Sequence, residues 1–289
     1  FGSALQNPLF SLIDALRRNP TMLLSLTLLA VLATPVEEPL CAPLGLSRSA
    51  LIELKAQGFA VTDDRRNELA LALLPCLGSP DPVLRDGIAF EALSTWLRGR
   101  KLTPVSIRAL ADRLTASLKA SPDLPGFRRP FAALALSEVV RTDRFEPVFS
   151  ETELGALASL ASEFLAGVTD YRGLDEKAGW RHGVAHGADL VLQLSLNPRV
   201  SAESLRSMLG ALAVQVSPKG AVFYEDGEPE RLARAALNAW RRGVLDDAWW
   251  QSWLEGFANP APLTRWSSAF ETRAGLAQRH NRVAFLHAL

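Results

Sequence analysis

The chain has 289 residues, 48% of them hydrophobic and 21% charged, which excludes disorder over most of its length and leaves room for one large domain or two small ones. Lys plus Arg equals Asp plus Glu at 31 each, so no basic surplus draws the protein to nucleic acid or anionic lipid. Two cysteines, Cys41 and Cys76, exclude an iron-sulfur protein or cysteine-rich zinc module and leave room for one disulfide.

Residues 21–36 carry no charge until Glu37, and Met22–Ala33 reads MLLSLTLLAVLA, the length of a signal-peptide apolar core. A membrane span needs about 20 apolar residues, so this run is too short for one. Arg17 and Arg18 supply a basic flank, and Val31, Leu32 and Ala33 offer small residues at a cleavage site. The expectation is export to the periplasm, with residues 1–33 a signal peptide or upstream non-native segment and 34–46 the mature N-terminal segment. A buried N-terminal helix is the other reading of the same run. In an oxidising compartment Cys41 and Cys76 pair, and the alternative is two buried thiols.

From residue 47 to 289 the pattern is a single all-α domain, with apolar residues three and four apart between short Pro, Gly, Asp and Ser breaks. Thr103 before Pro104 predicts an N-cap, followed by an apolar face at Ile107, Leu110, Leu114 and Leu118. Ser150 and Glu153 predict a capping box ahead of Leu154, Leu157, Leu160, Ala161 and Phe164. Leu205, Met208, Leu209, Leu212 and Val216 mark a further helix after Ser201. The breaks SPDP at 79–82, SPDLPG at 121–126, NP at 197–198, DGEP at 226–229 and NPAP at 259–262 stop helices. About 10–12 helices in succession predict a HEAT/armadillo-like helical repeat array. A compact irregular all-α domain is the alternative, because no two repeats align by identity. The piece AVFYE at 221–225 is strand-like, a hairpin arm or simply loop.

The unusual residues gather at 170–189, DYRGLDEKAGWRHGVAHGAD, which holds two of the four histidines. Read as a helix, His182, His186 and Asp189 fall within about 60° of one another. Gly179, Gly183 and Gly187 form a second stripe, costing a helix about 1 kcal/mol each and implying close approach of a neighbour or ligand. Three readings follow. Two imidazoles and a carboxylate can ligate zinc or another divalent metal at His182, His186 and Asp189. Asp189 or Asp175 can orient a histidine for acid–base work. Structural histidines in a tight helix pair are the third. Gly183 stands where a zinc metalloprotease needs glutamate after the first histidine, so that mechanism is not supported.

Asp170, Asp175 and Glu176 read as acidic residues at the helix N-terminus, and Arg172 as a loop brace or anion contact. In YEDGEPERLARA at 224–235 the charges suit a helix start, and Glu228 or Glu230 is the natural third ligand or partner of Arg172 if this turn meets the histidine helix. Five of the seven tryptophans, Trp240, Trp249, Trp250, Trp253 and Trp266, crowd one stretch, as core filling or an aromatic groove.

Tyr171 to Gly173, Gly179, Trp180, His182, Ala185, His186 and Asp189 together resemble the bacterial domain of unknown function 2785 family. The likeness extends to Arg85 and Asp86, to Glu230, Arg231, Leu232 and Ala233, and to Asn281, Phe285 and Leu286, covering nearly all of the chain after Cys41. The resemblance implies an all-helical repeat fold and adds no reaction. The sequence departs from it in its N-terminal segment with two cysteines. The expected function is an exported ligand- or protein-binding scaffold whose pocket is lined by Arg172, Trp180, His182, His186, Asp189, Glu228, Glu230 and Arg231, with His280 nearby. A metal-dependent hydrolase using His182, His186 and a carboxylate is the alternative. The expected partner is a protein, peptide or small molecule, with no nucleic acid and no transmembrane span in the mature chain.

Overall fold

The computed structural model describes residues 41–289, which form one compact unit; the expectations for residues 1–33 and 34–40 lie outside them. Twelve α-helices and one short hairpin make up most of the regular structure among the described residues, so the fold is all-α. In chain order the first are α1 (Arg48–Ala56), α2 (Asp63–Ala72), α3 (Pro82–Leu84), a π-helical turn (Arg85–Phe90) and α4 (Glu91–Arg98). Then come α5 (Pro104–Lys119), α6 (Arg128–Asp143), α7 (Glu151–Ala166), β1 (Leu174–Asp175), β2 (Gly179–Trp180) and α8 (Gly183–Ser195). The chain closes with α9 (Ala202–Val216), α10 (Glu228–Arg241), α11 (Asp247–Ala258) and α12 (Arg273–Ala288). Among the described residues no helix is long and apolar enough to cross a membrane.

Local chemistry sets the helix starts. The Thr103 hydroxyl accepts from the Ser106 N–H, with Pro104 in the first turn, and Ile107, Leu110, Leu114 and Leu118 are buried. Ser150 and Glu153 form both hydrogen bonds of the capping box at α7. Ser201 caps α9 through the Ser204 N–H, and the apolar stripe from Leu205 to Val216 is buried.

Alternate helices pack side by side. α4, α6, α8, α10 and α12 follow one another in one layer, and α5, α7 and α9 follow one another in a second, resting on α6, α8 and α10. α8 lies centrally, covered by α6, α7 and α10, which is why eleven of its thirteen residues are buried and why its polar residues draw notice. Trp249, Trp250 and Trp253 pack with Phe257 and Phe285 at ring-centroid distances of 4.8 to 6.3 Å. The Trp253 indole N–H donates to the Leu209 carbonyl, tying α11 to α9, so this part of the tryptophan-rich stretch fills core.

Two local expectations are corrected. The helix that carries His186 and Asp189 begins later than expected: the loop ahead of it closes into a hairpin, Leu174–Asp175 pairing antiparallel with Gly179–Trp180, and α8 starts only at Gly183, so Gly179 stands in the hairpin and not on a helical stripe. Asp175 and Glu176 therefore lie in the hairpin, while Asp170 precedes it with its backbone packed beside Gly183 at the start of α8. Of the two readings of residues 221–225 the loop holds and the hairpin arm does not, and the Tyr224 ring is buried with its hydroxyl donating to the Gln215 carbonyl. Burial in that setting pushes the phenol well above its usual pKa.

Cys41 and Cys76 are disulfide-bonded, 35 residues apart in sequence. Closing a loop of that size removes chain entropy from the unfolded ensemble, so reduction and alkylation should cost about 3–4 kcal/mol of stability. Urea titrations of the oxidised and alkylated chain check this, with the midpoint expected to fall on reduction.

Candidate functional site

The site is built where the hairpin loop and the turn before α10 close over the start of α8. Asp175 Oδ1 accepts from the Lys177 and Ala178 N–H groups, which folds the hairpin turn and holds its carboxyl below the usual range. Gly179 takes φ +75°, a backbone state that side chains rarely adopt, and an added Cβ would lie 2.9 Å from Arg85 Nη2. Arg85 itself is fully buried and donates to the Ala178 carbonyl at 2.8 Å and the Ser79 carbonyl at 3.0 Å. The ladder continues beyond the strands, with Arg181 N–H donating to the Gly173 carbonyl and His182 N–H to the Arg172 carbonyl.

His182 is the N-cap of α8 with φ 54° and ψ 41°, and its side chain makes no capping hydrogen bond. This left-handed conformation turns the chain sharply from hairpin into helix, at a cost that surrounding contacts must offset. Its imidazole is released from capping and points at the turn before α10. Nε2–H donates to the Asp226 carbonyl at 2.9 Å, Glu228 Oε1 is 3.7 Å from the same nitrogen, and the Trp180 ring stacks on the imidazole at 4.4 Å with an interplanar angle of 27°. Trp180 keeps 36% of its surface exposed while His182 keeps 8% and Glu228 5%. The indole thus forms the outer wall over the buried imidazole.

Asp226 completes this group. His182, Asp226 and Glu228 each offer one ligand-type atom, and these atoms all lie within 4.8 Å of one another. The Asp226 N–H donates to Glu228 Oε2, and the Leu174 N–H donates to Asp226 Oδ2. Gly173 packs so tightly on this carboxylate that an added Cβ would sit 1.6 Å from Oδ2. Burial raises the Glu228 carboxyl pKa, opposed by hydrogen bonds from backbone N–H groups, and burial lowers that of His182, opposed by its bond to the Asp226 carbonyl.

His186 and Asp189 follow on α8 but turn to other partners. The His186 ring meets the edge of Phe131 at 5.0 Å and that of His182 at 5.9 Å. Its Nδ1 is buried with no hydrogen-bond partner, and burial, reinforced by His182 and Arg231, pushes the imidazole down to about 3. Asp189 forms an ion pair with Arg231 of α10; burial raises its carboxyl pKa and Arg231 opposes the rise. The structure therefore joins His182 to Asp226 and Glu228, and Asp189 to Arg231.

Gly183 and Gly187 do serve close packing, since Cβ atoms there would lie 3.3 Å from Val168 and 3.0 Å from Leu165, at the end of α7 and just beyond. Arg172 is largely exposed and pairs with Asp170, whose carboxyl it holds below the usual range, so it braces its own loop. Glu230 is exposed on the outer side of the first turn of α10. His280 Nε2–H donates to the Tyr224 carbonyl at 3.2 Å, behind the turn. Asp226 is the residue that sequence reasoning passed over; its signal was Gly173 of the Tyr-Arg-Gly loop, whose missing side chain makes room for it.

No curated protein and no solved structure matches this chain. The family described as "Protein of unknown function (DUF2785)" matches residues 114–289, well over half of the sequence and the whole of the hairpin, α8 and the turn before α10, and the chain belongs to that family.

Proposed function

We propose that the protein is an exported scaffold of helical repeats, HEAT/armadillo-like in its two-layer succession, that binds a small molecule or peptide at the cradle under Trp180. The observation that carries this reading is the convergence of polar groups from two segments more than 40 residues apart, buried His182 from the hairpin side with half-buried Asp226 and buried Glu228 from the turn, beside a part-exposed indole that stacks on the imidazole. Titratable groups drawn out of water and gathered beside an accessible aromatic ring are costly to bring together, and such groupings concentrate where a ligand is bound. The Cys41–Cys76 bridge supports export, because disulfides persist in oxidising compartments.

Thermal-shift titrations with sugars, dicarboxylates and dipeptides test the reading. At least one class should raise the Tm of the wild type and quench its tryptophan fluorescence, and leave a Trp180→Ala variant unmoved. If every class leaves the wild type unmoved, or shifts both proteins equally, the cradle is not the binding site. For export, residues 1–46 fused to a reporter active only outside the cytosol should give signal, and a silent fusion would overturn that part.

The closeness of His182, Asp226 and Glu228 favours a second reading, a metal-dependent hydrolase. It requires turnover of an ester, amide or phosphate substrate that disappears in Glu228→Gln.

A further inference from the structure

We infer that His182, Asp226 and Glu228 form a binding site for one divalent transition cation of the zinc or manganese type. The inference rests on the cradle reading above and names its inorganic ligand.

Four observations converge on it. The donor set is one imidazole nitrogen and two carboxylates with the Asp226 carbonyl beside them, a mixed nitrogen and oxygen set that suits zinc and manganese. The 3.7 Å between His182 Nε2 and Glu228 Oε1 is too long for a hydrogen bond but is spanned by two metal bonds of about 2.0–2.2 Å each. Among the described residues neither Asp226 nor Glu228 has an Arg or Lys within ion-pair distance, although Arg231 on the same helix turn is engaged by Asp189. A buried carboxylate without a cation is costly, and a divalent ion balances the two carboxylate charges.

The fourth observation is the outer support. The Leu174 N–H holds Asp226, the Asp226 N–H holds Glu228, and Trp180 stacks on the imidazole. Such contacts fix ligand orientation before the ion arrives. The left-handed backbone at His182 fits the same purpose, since from it the ring reaches the turn before α10. On binding, the imidazole proton moves from Nε2 to Nδ1, so the histidine gives up no proton. The Nε2 hydrogen bond to the Asp226 carbonyl is exchanged for the metal bond.

The test uses the full chain, stripped with chelator and then dialysed against Zn²⁺, with Mn²⁺ and Ca²⁺ in parallel, followed by elemental analysis. One Zn²⁺ or Mn²⁺ per chain is expected. Glu228→Gln, which keeps the shape of the side chain, should weaken binding at least tenfold, as should Asp226→Asn. His186→Leu and Asp189→Asn should retain the ion, and far-UV circular dichroism confirms that each variant is folded. Absence of bound ion in the wild type, or full occupancy in both carboxylate variants, overturns the proposal. Loss in His186→Leu together with retention in Glu228→Gln would also overturn it and move the site along α8. A wild type that takes no cation yet shows Trp180-dependent shifts with an organic ligand would sink the metal site alone. A chain that binds zinc but shows no such shift would sink the organic-ligand reading alone.

Discussion

Arg85→Ala is expected to destabilise the protein by about 3–5 kcal/mol, the range for removing one member of a buried, hydrogen-bonded charge network. The guanidinium is fully buried, with Cζ 3.9 Å from the Phe127 ring centroid and 4.8 Å from that of Phe131, and desolvation lowers its pKa. It also donates to the Ser79 and Ala178 carbonyls and pairs with Asp86, whose own carboxyl burial pushes up. Truncation removes the stacking and leaves two carbonyls and a half-buried carboxylate without this partner. Arg85→Lys keeps the charge but loses the planar fork, so it should recover only part of the loss. Urea denaturation monitored by tryptophan fluorescence measures both. A change under 1 kcal/mol in the alanine variant would show that the network contributes no net stability. Because Arg85 grips the hairpin at Ala178, the variant should also loosen the Trp180 stack on His182, read as faster quenching by acrylamide.

That same grip explains how much of the molecule was legible in sequence. The caps at Thr103, Ser150 and Ser201 each join residues three apart, so their side-chain chemistry is visible in the local string. The buried stripes of α5, α7 and α9 follow from helical periodicity. The family likeness was legible too, since its most specific residues, Trp180 to Asp189, lie within the matched segment. The hairpin was not legible, because it depends on Arg85 reaching Ala178 across 93 residues and on the turn that presents Asp226 to Gly173. Glycine and charge in that loop suit a helix start equally well until those distant partners are known. The left-handed state of His182 is likewise set by the hairpin behind it, so a rule of 100° per residue brings its ring to the edge of His186 but does not show that the imidazole also meets Asp226 and Glu228.

His186 should make the fold acid-sensitive in the window between pH 6.5 and about 3, and His186→Leu should remove that sensitivity. The ring is buried, and the charged groups that face it, His182, Arg231 and Arg85, all oppose its protonation; only the Pro130 carbonyl favours it. The imidazole therefore stays neutral in the folded chain down to about 3, against 6.5 for the exposed side chain. A depressed folded pKa means that the unfolded chain binds the extra proton first, so stability is whole above pH 6.5 and is lost as pH falls. Linkage puts the loss from this one group at about 3 kcal/mol by pH 4. Leucine has nearly the volume of histidine, meets the Phe131 edge as an apolar group, and removes an Nδ1 that has no partner. At pH 7.5 the variant should stay within about 1 kcal/mol of wild type, because deleting an unsatisfied buried polar atom offsets lost packing. Urea titrations at pH 7.5, 5.5 and 4.0, in chelator so that no cation at the neighbouring carboxylates contributes, measure the difference. Carboxylate titration is common to both proteins and cancels. Wild type should lose ground against the variant at each step, and parallel pH dependence would show that the imidazole gains its proton inside the fold, through an opening of α8 toward solvent.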